Sequence, residues 1–494
     1  MSSSIGLRSS LKARSTVAPD LALVPLGARR NSAARFHGYL TKLEALADFV
    51  TVIGAVLSGY WAYYFFGLGR QVHYPRSVIL GVATAFAALI VLMLDRVGAY
   101  SSGTSLLRVR ETEHVLRVSM QALGFILGVS FFTSFLFSRW LLVIALGSVP
   151  LCLFIEKRFV YMLVQQLHAR GYGMERVLIY GSGSTGRRVY SVLCRSPKLG
   201  LEPVAFVDDN VAKVGRAIFE LGYENRRSAS VMPGPMTRRL VTECVADLVI
   251  IAIPTLEHEK FHRAIEEAMA ANARVSFVPS HFDHSDLLVD FQDIDGVLLA
   301  SLSRDAKRLA HAWAKRIFDF GGAAVLLVIG SPLFFLLALL IKLDSKGTVL
   351  FRQERVGLNG RRFRMFKLRT MHQDAPAYAY SPKEPDDRRI TRLGRFLRRT
   401  SLDELPQLLN VLLGNMSLVG PRPEMPFIVE TYTEHHSQRL QVKPGITGLW
   451  QLSGDRNYFI HENIEYDLYY IKHQNFFMDI AILLHTFIFA MRGI

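Results

Sequence analysis

Val177-Leu178-Ile179-Tyr180-Gly181-Ser182-Gly183-Ser184-Thr185-Gly186 lies inside the 494-residue chain, away from both ends. Four apolar residues in a row suit a strand covered on both faces. Gly181, Gly183 and Gly186 have the spacing of a dinucleotide-type turn, which needs a tight bend and close approach of a phosphate. A helix-like stretch follows from Arg187 to Leu193, then a second apolar strand, Val204–Val207, ending at Asp208 and Asp209. An acid after the second strand is placed to bind a ribose. Leu248–Ile253 and Val275–Val278 read as further parallel-type strands. A Rossmann-like α/β domain is therefore expected over 170–300, with Gly181, Gly183, Gly186 and Asp208 as candidate nucleotide-binding residues. No Tyr-x-x-x-Lys occurs between 170 and 300; Tyr223 is followed four places later by Arg227. The usual base of a short-chain dehydrogenase or sugar dehydratase is missing, so a regulatory or scaffolding role is preferred.

Upstream, the composition changes. The whole chain is 50% hydrophobic and 20% charged, too apolar for a disordered chain and too charged to lie wholly in a bilayer. Residues 1–42 are rich in Ser, Ala and Arg, and Asp20 is the only acid before Glu44. They read as a basic disordered tail; the alternative of an organelle transit peptide is weaker, and Leu21–Leu26, broken by Pro25, is too short for a signal-peptide core. Four apolar runs follow, Phe49–Phe66, Val78–Leu94, Val118–Phe137 and Trp140–Ile155. Each is near the length a helix needs to cross a bilayer, and together they predict a four-helix transmembrane bundle over 43–160. Arg29, Arg30, Arg35 and Lys42 precede the first run. Arg96, Arg108, Arg110 and Arg117 separate the second from the third, and Lys157 and Arg158 follow the fourth. Basic loops stay inside, so both ends of the chain are expected on the cytoplasmic side.

Downstream, Ile317–Leu343 is long enough to span, but Ser331-Pro332 sits at its centre. Proline removes a backbone donor and crowds the preceding turn. Lys307, Arg308, Lys315 and Arg316 lie before this segment, and Lys342, Lys346, Arg352 and Arg355 after it. Two basic flanks favour a re-entrant helix over 317–343 that breaks at the proline and returns, with Ser331 partnering a freed backbone group.

The remainder is basic. Val349–Val356 and Arg362–Arg369 read as two strands around Gly357-Leu358-Asn359-Gly360. The second strand alternates, with one slip at Phe366, so that Arg362, Arg364, Lys367 and Arg369 could face a phosphate. Asp387–Arg399 reads as an amphipathic basic helix, with Ile390, Leu393 and Leu397 on one face, which suits a membrane surface. A net charge of +16 is compatible with nucleic acid, but no groove-reading motif or stacking platform accompanies it, so none is expected. Cys152, Cys194 and Cys244 are too scattered for a disulfide framework or a Cys-rich zinc site. In Thr400–Gln407, Ser401 and Glu404 have capping-box spacing, which would make Asp403 and Glu404 mere decoration of a helix start. The chemical alternative gives neighbouring acids different tasks, one attacking a phosphorus and the other holding a metal. Gly420-Pro421-Arg422-Pro423 points an arginine from a rigid loop, and Lys443–Gln451 is a second Gly/Pro-shaped loop. Phe476–Met491 is apolar but short, a packed or interfacial helix.

From about Lys315 onward the chain resembles the bacterial polyprenyl-phosphate hexose-1-phosphate transferases, the monotopic phosphoglycosyl transferases. The resemblance rests on six ordered motifs: Ser331-Pro332, Phe351–Gly357, Phe366–Met371, Arg398–Gln407, Gly420–Pro423 and Lys443–Gly448. With the preceding spans and Rossmann-like domain, it resembles the long form that initiates exopolysaccharide, capsule or O-antigen repeats. It implies a C-terminal α/β catalytic domain over 312–494, anchored by the re-entrant helix on the cytoplasmic face of a bacterial inner membrane. It implies transfer of hexose-1-phosphate from a UDP-hexose, glucose favoured over galactose, to undecaprenyl phosphate, with release of UMP. Asp403 would be the nucleophile and Glu404 the Mg²⁺ ligand; Lys367, Arg369, Arg398 and Arg422 match the family's basic pocket. It also leaves room for a homo-oligomer and for docking of downstream glycosyltransferases. Asp455 before Arg456, and Asp386-Asp387 before the Arg-rich helix, depart from the family pattern. The competing readings are a membrane-bound nucleotide-sugar dehydratase or epimerase using the middle domain, and a non-catalytic assembly scaffold.

Overall fold

A computed structural model describes residues 26–68, 73–100, 108–133, 138–170, 172–195, 200–219, 228–278, 287–294, 297–304, 308–372, 387–452 and 464–491. Tyr223, Arg227, Asp386, Asp455 and Arg456 fall outside them, as do residues 1–25 of the expected tail. The chain divides into two units near residue 280.

The first unit opens with four helices: α1 (Leu26–Phe65), α2 (Arg76–Arg96), α3 (Arg108–Thr133) and α4 (Arg139–Ala169). Helix α1 packs on α2 and α4, and α3 on the same two, around a core that includes Val52, Phe86, Ile90, Val118 and Leu153. Helix α2 and residues 140–168 of α4 are long and apolar enough to cross a membrane; among the described residues, α1 and α3 do not meet that standard. Glu44 and Asp48 lie in α1, and α3 starts with Arg108, Arg110, Glu111 and Glu113. Lys157 Nζ sits between Glu44 Oε1 at 2.9 Å and Asp48 Oδ2 at 2.8 Å, and the Tyr100 hydroxyl donates to Asp48 at 2.6 Å. Buried charges at one end of an apolar bundle persist because they are paired. The expected tail is corrected here: residues 26–42 are helical, continuous with α1. They contain good helix formers, and Phe36 packs against Gly173 and the His168 ring.

The same unit then builds β1 (Glu175–Tyr180), α5 (Ser184–Arg195), β2 (Leu201–Asp208), β3 (Ala217–Phe219), β4 (Ser228–Pro233), β5 (Leu248–Ile251), α6 (His258–Ala270) and β6 (Arg274–Phe277). The sheet order is β3-β4-β2-β1-β5-β6, parallel except for β3. Alternate residues of β1 enter opposite cores. Val177 and Ile179 pack with Tyr190 and Leu193 of α5, and Leu178 and Tyr180 join the core that holds Ala264 and Ala268 of α6. Covering both faces is why the strand is apolar throughout. This is the expected Rossmann-like domain, with one boundary corrected. It ends at β6, and the hairpin β7 (Leu287–Ile294) and β8 (Val297–Arg304) forms a separate two-stranded sheet in the second unit.

The second unit continues with α7 (Arg308–Asp344), the antiparallel strands β9 (Leu350–Val356) and β10 (Arg362–Leu368), α8 (Arg392–Arg399), a 3₁₀ turn (Leu402–Glu404) and α9 (Gln407–Leu412). It closes with the parallel pair β11 (Ser417–Val419) and β12 (Gly445–Thr447), then α10 (Glu465–His473) and α11 (Phe476–Met491). Along α7, Val328, Ile329 and Phe335 are 74%, 72% and 71% exposed. An apolar helix this bare is stable only in lipid or against a partner. The expected interruption at Ser331-Pro332 is not an unwound break: the residues of α7 stay helical through Pro332. Proline at 332 leaves the carbonyl four residues earlier without its donor, and the Ser331 hydroxyl donates to that Val328 oxygen at 2.8 Å. Both ends of α7 grip the rest of the unit. Arg316 donates to the Val411 and Leu412 carbonyls at 2.7 and 2.9 Å, capping α9. Leu337 and Ile341 pack with Leu368 and Leu397.

Candidate active site

Strand β10 carries Lys367. Asn410 of α9, fully buried, accepts from Phe366 N at 3.0 Å and donates to the Arg364 carbonyl at 2.7 Å. Its amide thus pairs with the strand edge as another strand would, fixing Lys367 opposite the turn at 402–404. The expected helix over 387–399 starts later, at Arg392, where Thr391 Oγ1 accepts from Gly394 N at 2.9 Å. A Cβ at Gly394 would stand 2.0 Å from the Thr370 carbonyl oxygen. Only glycine lets α8 press on the end of β10, and that contact brings Arg398 beside Asp403.

The capping-box expectation is overturned. Ser401 adopts a left-handed conformation (φ 57°) and its side chain caps nothing. Glu404 turns instead to two cations: Lys367 Nζ at 2.9 Å and Arg422 Nη2 at 3.1 Å, both on Oε1. Asp403 is 8% exposed. Burial raises its pKa, as does neighbouring Glu404, and Lys367, Arg398 and Arg422 only partly offset them. Burial alone would raise Glu404 too, but Lys367 and Arg422 outweigh it and hold that carboxyl at about 2. The two adjacent acids are therefore unlike. One is a fixed anion; the other is a buried, more basic carboxylate suited to attack.

Arg422 comes from a tightly built loop. A Cβ at Gly445 would lie 2.1 Å from Gly420 N, and one at Gly448 would lie 2.4 Å from Gly420 O, so the Lys443–Gly448 segment is pressed directly on Gly420–Pro423. Arg355 was not singled out as a site residue from sequence, yet it belongs here. It lies near Arg422 and Glu404, and burial followed by repulsion from Arg422 lowers its pKa to about 10. Lys367, Arg398 and Arg422 flank the two carboxylates, placed to meet an incoming anion.

Arg369 is placed elsewhere. It is buried, and Nη2 donates to Ser345 O at 2.6 Å, Ser345 Oγ at 2.8 Å and the Ile341 carbonyl at 3.4 Å. It caps the C-terminal end of α7 rather than facing the acids.

In the middle domain, Gly181 takes φ +109°, and a Cβ at Gly186 would sit 1.9 Å from Gly181 O, so both glycines serve the turn itself. Gly183 faces open space. Asp208 is already engaged. It accepts from Ser182 N at 2.8 Å, Ser182 Oγ at 2.5 Å, Asn210 N at 2.9 Å and Lys213 Nζ at 3.1 Å. Burial would raise its pKa, but these donors hold it at about 2.

An apolar, lipid-suited helix carrying an α/β domain with a carboxylate pair ringed by cations defines a membrane protein equipped for phosphoryl chemistry. A family model described as bacterial sugar transferase matches residues 310–493, and one described as a CoA-binding domain matches 95–279. An undecaprenyl-phosphate galactose phosphotransferase of Salmonella typhimurium is 31% identical over 407 residues, 76% of this chain and 80% of the relative. A UDP-glucose:undecaprenyl-phosphate glucose-1-phosphate transferase of Klebsiella pneumoniae is 28% identical over 90% of this chain and 94% of its own. One of the same description from Caulobacter vibrioides is 44% identical over 36% of this chain and 70% of its own. The chain belongs to the bacterial sugar transferase family.

Proposed function

We propose that this protein transfers hexose-1-phosphate from a UDP-hexose to undecaprenyl phosphate, releasing UMP and leaving the sugar on a lipid diphosphate. The observation that carries the reading is Asp403, buried beside a Glu404 that Lys367 and Arg422 hold ionised. In the first step an Asp403 oxygen attacks the phosphorus that bears the sugar. The bond from that phosphorus to the bridging oxygen breaks, and UMP leaves with the oxygen. In the second step a phosphate oxygen of the lipid attacks the same phosphorus and displaces Asp403, restoring the carboxylate. Lys367, Arg398 and Arg422 neutralise the phosphoryl oxygens as charge shifts between them. The relatives' descriptions name both glucose and galactose; glucose is the preferred donor sugar.

Magnesium fits the donor set. Among the described residues no group of three or more His, Cys, Asp or Glu could hold a metal ion. Magnesium, however, takes one or two carboxylates and completes its shell with water and substrate phosphates. Glu404, with Asp403 beside it, would hold the ion, which when bound would neutralise the diphosphate.

The membrane arrangement follows from the same chemistry, because the acceptor is a lipid. All four N-terminal helices cross the bilayer in this reading. Trp61, Phe65 and Phe66 at the end of α1, Phe131 and Phe132 at the end of α3 and Trp140 at the start of α4 are exposed, as an interfacial aromatic belt would be. Helix α7 enters and returns on the cytoplasmic side by bending at Pro332 while its residues stay helical. A straight helix would put Arg316 and Ile341 about 37 Å apart, yet each end is held by the unit that contains the site. The middle domain serves as scaffold or regulator, its ribose-type acid already occupied. The test is UMP release from a panel of UDP-sugars, with the full chain in nanodiscs and undecaprenyl phosphate supplied. Sustained UMP release is expected only with both a UDP-hexose and the lipid phosphate, and UDP-hexose alone is expected to release no more than one equivalent per protein; a panel with no release defeats the reading.

A further inference from the structure

The loop that presents Arg422 contains two prolines, so Pro421 and Pro423 offer no N–H to tie it down. Its carbonyls are tied instead, by donors from three different elements. Gly445 N donates to Pro421 O at 2.9 Å, Arg439 Nη2 to Arg422 O at 2.9 Å, Arg355 Nη1 to Pro423 O at 3.3 Å and Val356 N to Glu424 O at 3.0 Å. Two of the four donors are guanidiniums, and both are themselves fixed. Arg439 is 3% exposed. It pairs with Glu424 at 3.2 Å and Asp467 at 2.8 Å, and its Nη1 donates to the Tyr432 hydroxyl at 2.7 Å. The Tyr432 hydroxyl in turn donates to Glu424. Arg355 Nη2 donates to Gln353 Oε1 at 2.7 Å on its own strand.

A buried cation is expensive unless its partners are arranged around it. Balancing one guanidinium needs one carboxylate. Arg439 has two, from α10 and from the residue after Pro423, plus a phenol. That much machinery, centred on one loop carbonyl, suits a part that must not move. We propose that Arg439 and Arg355 are positioning residues that clamp the Arg422 loop by consecutive carbonyls, aiming the Arg422 guanidinium at Glu404 and the donor's diphosphate. The proposal rests on the transfer reading for what Arg422 meets, but the clamp itself is a property of the loop. Lysine cannot replace either arginine, because a single ammonium does not reproduce a planar fork with donors in two directions.

The test is a double-mutant cycle in the full chain, read by kinetics and by hydrogen exchange. Arg439→Lys keeps the buried charge. It is expected to lower kcat/KM about 10- to 100-fold, the cost of a misplaced binding group, and to speed amide exchange in residues 417–425 while exchange in α7 stays unchanged. In an Arg422→Ala background the same change is expected to cost no more than about twofold, because residues acting through one another are not additive. Arg355→Lys is carried through the same cycle, so the proposal remains open to refutation should Arg439→Lys fail to fold. Equal losses in both backgrounds, or unchanged exchange at 417–425 in both variants, would overturn the clamp. A wild-type protein that releases no UMP from any UDP-hexose would defeat the transfer reading instead, and the exchange measurement would still decide the clamp.

Discussion

Asp208 and Asp403 are both buried acids held beside basic residues, and their surroundings make them opposites. Asp208 spends its oxygens on the glycine turn's own Ser182, on Asn210 N and on Lys213. Its pKa falls to about 2 because the chain already supplies the donors an anion wants. Asp403 is buried with its pKa raised, while the strongest cation contacts go to Glu404 next door. A satisfied acid holds a fold together; a buried acid whose neighbouring cations are paired elsewhere is available for chemistry. The position that looks most like a nucleotide motif in sequence is thus the quieter of the two.

The contrast can be broken at several points. Asp403→Asn should lower UMP release by about 10³-fold or more, as removal of a nucleophile does, with the thermal midpoint little changed; steady-state assay and calorimetry read the two together. Glu404→Gln removes the anion that anchors Lys367 and Arg422, and a loss of about 10²-fold in kcat is expected. Arg369→Ala should behave differently from Lys367→Ala despite their closeness in sequence. It removes donors from the end of α7 and is expected to cost about 1–3 kcal/mol of stability without raising KM for the UDP-sugar. Asp208→Asn should destabilise the middle domain by about 1 kcal/mol, since water screens part of its pairing, and leave transfer intact. The sign follows from its depressed pKa. That stabilisation is present above the ordinary carboxylate value and is lost as pH falls towards 2, so wild type and variant should converge in acid unfolding. Ser331→Ala is as small, about 1 kcal/mol, seen as a lower midpoint in detergent.

Much of this was legible in the residues. The strand–glycine–helix run at 177–195 and the hairpin at 350–368 appear where their apolar alternation and turn residues put them, because local pattern decides local structure. The Asp403–Glu404 pair stood out, but its partners could be read only in part. Alternation placed Arg369 on the same face as Lys367, yet β10 stops at Leu368, and the residue after a strand obeys no alternation. Ser401 and Glu404 had capping-box spacing, but the box presumes a Ser side chain aimed at the helix, and the left-handed backbone at Ser401 turns it away. Arg439 and Asn410 carried no signal at all. Each acts through a carbonyl or strand edge far away in sequence, and such a contact exists only once the chain has folded.

The central claim is that Asp403 carries the sugar phosphate between donor and lipid. Its most direct test is intact and peptide mass spectrometry of the full chain after brief exposure to UDP-hexose without undecaprenyl phosphate. A hexose-phosphate adduct on the peptide containing Asp403, absent in Asp403→Asn and discharged when the lipid phosphate is added, is the expected result. Sustained transfer by Asp403→Asn, or an adduct on another residue, would contradict it.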